Sequence, residues 1–206
     1  MEDLSVSENA GMHRYSPPRA LPPLLEMLAE RIRGRSGVPT SPDDVLVTAG
    51  ATGGLSAVVG AIVQPGDEVL VLAPYWPLIT GIVRCYHGHP VDVPSIGDAV
   101  DANALVEQAR RNMTSRTVAL YLSTPNNPSG RLISEELLRA LADWAVAHGF
   151  WLISDEVYED YAFTGSHVCT RPLAPERCFS VHSFSKAFGM AGNRCGYVAG
   201  PSSFMG

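Results

Sequence analysis

Apolar residues near the start of the chain recur at helical spacing: Leu21, Leu24, Leu25, Leu28, Ala29 and Ile32. That period predicts an amphipathic helix ending by Gly34. Beyond it, short apolar runs alternate with longer helical segments. The runs predict strands at Val45–Val47, Val69–Ala73, Val118–Leu122, Trp151–Ser154, Phe179–Phe184 and Gly196–Ala199. The segments between them predict helices at Gly53–Val63, Leu78–Cys85, Ala102–Asn112 and Glu135–His148. In the last of these, Leu137, Leu141, Trp144 and Ala145 form an apolar face, and Ser134 stands where an N-cap belongs. Pro65-Gly66-Asp67 reads as a turn before a strand, and Gly149 as the close of a helix. Strands that are apolar on both faces and separated by helices predict an α/β fold, a mostly parallel sheet sandwiched by helices. Ligands of such sheets sit at the carboxyl ends of the strands.

Composition narrows the functional classes. Of 206 residues, 46% are apolar and 17% charged, which supports a sizeable core and excludes global disorder. The net charge is −6 and no long basic run occurs, so no nucleic-acid partner is expected. No apolar stretch reaches membrane-spanning length and the chain opens on an acidic segment, so no membrane association is expected and the cytoplasm is the expected compartment. Cys85, Cys169, Cys178 and Cys195 form no CxxC pair and read as buried reduced thiols, with neither a disulfide framework nor a metal site expected.

One count changes the picture. Lysine and arginine together number 15, and only Lys186 is lysine, which leaves fourteen arginines. A general bias toward arginine accounts for the imbalance. Under it, a lysine persists where arginine cannot serve, as when a cation must lose its proton to become an amine nucleophile. Lys186 ends the predicted strand Val181-His-Ser-Phe-Ser-Lys186, and Asp155 ends Trp151-Leu-Ile-Ser154. Each taken alone also reads as a structural group: a solvated lysine, a capping carboxylate. Thr48-Ala-Gly-Ala-Thr-Gly-Gly54 is a small-residue turn entering a helix, suited to an anion because the first amides of a helix lack partners. It equally suits close packing.

Together with Pro74-Tyr75-Trp76 and Asn126-Asn127-Pro128-Ser129-Gly130, these residues resemble the class I/II aminotransferases. Those are fold-type I enzymes dependent on pyridoxal 5'-phosphate (PLP). The matching motifs, in order, are Gly50-Ala51-Thr52, Pro74-Tyr75-Trp76, the Asn126–Gly130 turn, Asp155-Glu156-Val157-Tyr158 and Ser183-Phe184-Ser185-Lys186, with Arg194 eight residues further on. The resemblance covers nearly all of the chain. It implies that Lys186 holds PLP as a Schiff base and moves the proton at the substrate Cα. It implies that Asp155 pairs with the pyridine nitrogen, that Asn127 and Tyr158 bond the ring's phenolic oxygen, and that Trp76 stacks on the ring. The phosphate would fall to the amides of Ala51 and Thr52, the hydroxyls of Thr52 and Ser183, and Arg194. Tyr15 resembles the family tyrosine that reaches the partner subunit's phosphate, which implies a homodimer, although Ala20, Pro23 and Leu25 depart from the family pattern.

The implied activity is transfer of an amino group between an amino acid and a 2-oxo acid. The expected organisation is an N-terminal arm over 1–20 and a PLP-binding large domain over 21–206, with the small domain and its carboxylate-binding arginine absent. Within the same fold, a carbon–sulfur lyase or a cyclopropane-forming synthase would use the same lysine and aspartate. A catalytically incomplete PLP-binding fragment shares every motif. Ser183-Phe-Ser-Lys186 also satisfies S-x-x-K of serine acyl-enzymes, but the companion K-T-G needs a second lysine that the chain lacks.

Overall fold

The computed structural model describes residue 11 and residues 15–94 and 101–205. Among these residues seven strands form one sheet: β1 (Val45–Thr48), β2 (Glu68–Ala73), β3 (His89–Pro94), β4 (Thr117–Ser123), β5 (Trp151–Asp155), β6 (Cys178–Ser183) and β7 (Gly196–Ala199). Their order is β1-β7-β6-β5-β4-β2-β3. From β3 to β6 all neighbours are parallel, whereas β7 runs antiparallel to both β6 and β1. The expected mostly parallel α/β sheet is therefore what forms.

Among the described residues five α-helices accompany it: α1 (Pro22–Ser36), α2 (Gly50–Ile62), α3 (Leu78–Cys85), α4 (Ala102–Arg111) and α5 (Glu135–Ala147). Because side chains alternate along a strand, each strand feeds two cores. On one face Leu55, Val58 and Val59 of α2 and Ile79 and Val83 of α3 pack on Val71, Tyr121, Ile153 and Val181. On the other, Leu138, Leu141 and Ala145 of α5 and Leu105 of α4 pack on Leu70, Leu120 and Leu152. Leu25, Leu28, Ala29 and Ile32 of α1 cover Val45, Tyr197 and Ala199 on that same side. No described helix is long and apolar enough to cross a membrane.

Several boundaries differ from the sequence expectation. Helix α1 runs through Gly34 and ends at Gly37, whose φ of 72° suits the left-handed cap. Helix α2 begins at Gly50 instead of Gly53 because no side chain caps Ala49 and marks the start. Strand β3 was not expected. Two prolines interrupt its pattern, and an edge strand tolerates them. Ser134 does cap α5, accepting a hydrogen bond from the Leu137 amide. Of the four cysteines, all free, only Cys178 is buried; Cys169 and Cys195 are half-buried and Cys85 is exposed. The expectation of four buried thiols is thus corrected: α3 places Cys85 on its outer face.

Candidate active site

The carboxyl ends of β5 and β6 and the amino end of α2 meet at a cleft of about 200 Å³. Its walls include nine of the ten residues singled out in the sequence. Ala51 and Thr52 come from the first turn of α2, and Trp76 and Asn127 from the loops after β2 and β4. Asp155 ends β5 and Tyr158 lies in the turn after it, while Ser183 ends β6 and Lys186 and Arg194 come from the β6–β7 connection. Tyr15 is the exception: it is fully exposed and does not line the cleft.

Strand alternation explains the aim of each group. Asp155 and Ser183 fall on the α2 face of the sheet with Ile153 and Val181. Asp155 is 7% exposed and is the one carboxylate among the described residues lining the cleft. Its Oδ2 accepts from the Tyr121 hydroxyl at 2.9 Å and its Oδ1 from the Val157 amide at 3.2 Å. Burial raises the Asp155 carboxyl above its ordinary value, and these two donors with the nearby His182 charge work against that rise. The Lys186 ammonium lies 5.5 Å from the centre of the Tyr158 ring.

The opposite end of the cleft gathers groups whose chemistry suits an anion. With no side-chain cap at Ala49, the first amides of α2 point free of the helix. Arg194, itself in the left-handed region at φ 50°, sets its guanidinium beside Gly50. Its Nη1 donates to the Ala191 carbonyl at 2.8 Å. The Ser183 hydroxyl accepts from the Ser185 amide at 3.0 Å.

The 125–131 turn is held by Asn126, not Asn127. Asn126 Nδ2 donates to the Pro74 carbonyl at 2.8 Å, and its Oδ1 accepts from the amide and hydroxyl of Ser129. One buried amide thereby ties the segment carrying Asn127 to the one carrying Trp76. Sequence reasoning quoted Asn126 within a motif and gave it no task. It missed Tyr121 altogether, since a tyrosine inside an apolar run reads as core. It likewise quoted Val157 and Ser185 within motifs without a task, and left out Leu55 and Ala191; these four complete the lining.

Comparison with known proteins agrees with this geometry. The family model for aminotransferase class I and II matches residues 2–205. The chain belongs to that family. Among class I/II aminotransferases, it is 43% identical over 196 residues to a probable aspartate/prephenate aminotransferase of Thermus aquaticus, covering 94% of this chain and 50% of the relative. The solved aspartate aminotransferase of Thermus thermophilus with maleate superposes with a TM-score of 0.90 at 39% identity, over 97% of this chain and 52% of the other. N-Succinyldiaminopimelate aminotransferase of Mycobacterium tuberculosis gives 0.89 at 33% identity, over 96% and 53%. The chain spans about half the length of the curated relatives it matches.

The family is PLP-dependent, and the cleft fits that cofactor. It offers a buried carboxylate without a basic partner for the pyridine nitrogen, a lone primary amine, and an uncapped helix end beside an arginine. At that end, position 50 has no room for a side chain.

Proposed function

We propose that this chain supplies the PLP site of an aminotransferase that moves an amino group between an amino acid and a 2-oxo acid. The observation that carries the reading is the meeting of Lys186, Asp155 and Arg194 around one cleft. When bound, PLP supplies an electron sink for the negative charge left at the substrate Cα. Lys186 holds the cofactor through its amine and then, freed, carries the proton at Cα as general acid and base. Asp155 keeps the ring nitrogen's proton in place, a charge-assisted hydrogen bond in a shielded site. Asn127 and Tyr158 donate to the ring's phenolic oxygen, and Trp76 covers one ring face. The amides of Ala51 and Thr52, the hydroxyls of Thr52 and Ser183, and the Arg194 fork bind the phosphate.

We assign residues 21–206 to the cofactor-binding domain and 1–20 to an arm. Tyr15, exposed on that arm, is assigned to the partner subunit's phosphate in a homodimer. The cytoplasm, where amino acids and 2-oxo acids interconvert, is the compartment we assign. The relatives' names differ in the amino acid they specify, so the reading stops at the class.

The test is a single half-reaction. Protein loaded with PLP and given an amino acid should yield one equivalent of 2-oxo acid, with the cofactor spectrum shifting to its amine form. Release of ammonia with pyruvate would assign the site to a lyase. Failure to retain any PLP would overturn the reading. Among the described residues lining the cleft, Arg194 is the one arginine, and it is assigned to phosphate. The substrate α-carboxylate therefore finds no second guanidinium there, and retention of PLP is the more sensitive readout.

A further inference from the structure

Tyr121 sits midway along β4 with no exposure to solvent. Its register partner on β5 is Ile153, and Ser123 is paired with Asp155. Tyr121 and Asp155 consequently lie on the same face, diagonal to each other across adjacent strands. The phenol spans that diagonal toward the carboxyl edge of the sheet and donates to Asp155 Oδ2 at 2.9 Å. A fully buried hydroxyl is costly unless it is partnered, and a phenylalanine would fill nearly the same space without that cost. The carboxylate that the hydroxyl serves is Asp155, with Ser123 beside the same phenol oxygen.

Asp155 needs the help. It lies in the interior with no lysine or arginine among its hydrogen-bond partners, a setting that favours the neutral acid. Glu156, its chain neighbour, adds to that push. His182, on the opposite face of β6, opposes it. Burial and the adjoining carboxylate hold the phenol proton tightly, so Tyr121 remains a donor.

We propose that Tyr121 is a positioning residue that fixes the Asp155 carboxylate, in orientation and as an anion, for the ring nitrogen of PLP. The inference rests on the cofactor reading above. Its reach is limited to Asp155: Tyr121 does not line the cleft and touches no reacting atom.

The experiment is a double-mutant cycle read by equilibrium dialysis of PLP. Y121F should weaken PLP about 10- to 100-fold, the loss expected for one hydrogen bond to a charged group. In the D155N background the same substitution should change the dissociation constant by no more than about twofold, because the group it serves is gone. A second measurement uses the cofactor-free protein. The Asp155 carboxyl carbon resonance, identified by its loss in D155N, should titrate at higher pH in Y121F than in wild type. A packing role would not move it. Equal losses in both backgrounds, or an unmoved carboxyl titration, would overturn the proposal. Wild-type protein that takes up no PLP sinks the cofactor reading itself. Wild type that binds PLP beside Y121F binding equally well sinks only the role of Tyr121.

Discussion

The Arg194 guanidinium occupies the space that a side chain on Gly50 would need: a Cβ built there would overlap Nη2 and lie 3.0 Å from Cζ. Gly50 also has a φ of 71°, a conformation that costs an L-residue about 1–2 kcal/mol. Nearby, a Cβ on Gly196 would come within 2.7 Å of the Ala51 amide nitrogen, so the start of α2 rides directly over β7. Gly50→Ala should therefore displace Arg194 and weaken PLP binding about 10-fold or more, roughly the worth of a charge-assisted contact. Dialysis of G50A, R194A and the double variant checks this. If Arg194 binds the phosphate as proposed, the two losses should not add, since both displace the same guanidinium.

Lys186 is the only lysine, which makes covalent capture simple to read. After incubation with PLP and borohydride reduction, peptide mapping should place the adduct on Lys186, and Lys186→Arg should abolish it. Label confined to the N-terminal amine would show that the cleft does not form the linkage.

Asp155→Asn keeps the shape of the side chain and removes its charge. It should cost about 1.5–3 kcal/mol of PLP binding, the range for a hydrogen bond to a charged group. Retention at the wild-type level, measured by dialysis, would make Asp155 a structural carboxylate only.

Glu159 anchors the sheet face behind the cleft. It is 7% exposed and meets Arg31 Nη2 at 3.1 Å, Arg35 Nε at 3.3 Å and His182 Nδ1 at 3.4 Å. Burial pushes its carboxyl up, but the charges of His182, Arg35 and Arg31 outweigh burial and bring it to about 2, from an ordinary 4.5. A depressed carboxyl contributes stability that is full above its unfolded value and lost as pH falls through the folded one. The acid limb of the stability curve should accordingly steepen between about pH 4.5 and 2. Burial pulls His182 down, yet Glu159 raises it overall, so its contribution is full below the ordinary histidine range and lost as pH rises through its folded value. Glu159→Gln should lower stability at neutral pH by about 3 kcal/mol and flatten that acid limb. Urea melts from pH 2 to 8 measure both.

Much of this was legible in the sequence, for identifiable reasons. The inner strands announced themselves because burial on both faces demands unbroken apolar runs, as in Val69–Ala73; edge strand β1 was read from its short run Val45–Val47 although only Val45 is buried. Strand β3 did not, because at the sheet edge only Val93 is buried and nothing forces a pattern. The start of α2 was placed three residues late because uncapped amides leave no mark in the sequence, and that missing cap is what suits the end to an anion. Lys186 and Asp155 stood out as polar groups at the ends of apolar strands. Tyr121 did not, because its apolar ring conceals the one hydroxyl that matters, and only the register of β4 on β5 reveals where that hydroxyl goes.

The placement of β7 has a consequence for how the chain matures on a ribosome. Strand β1 joins the sheet through β7, with Val45 paired to Ala199. The end of the cleft built on α2 therefore waits beside an unfinished sheet until β7 has emerged. That closure of β1 through β7 is a long-range pairing, of the kind that folds slowly. Nascent chains stalled before Gly196 should capture no PLP, so the cofactor becomes a reporter of β7 docking into the sheet.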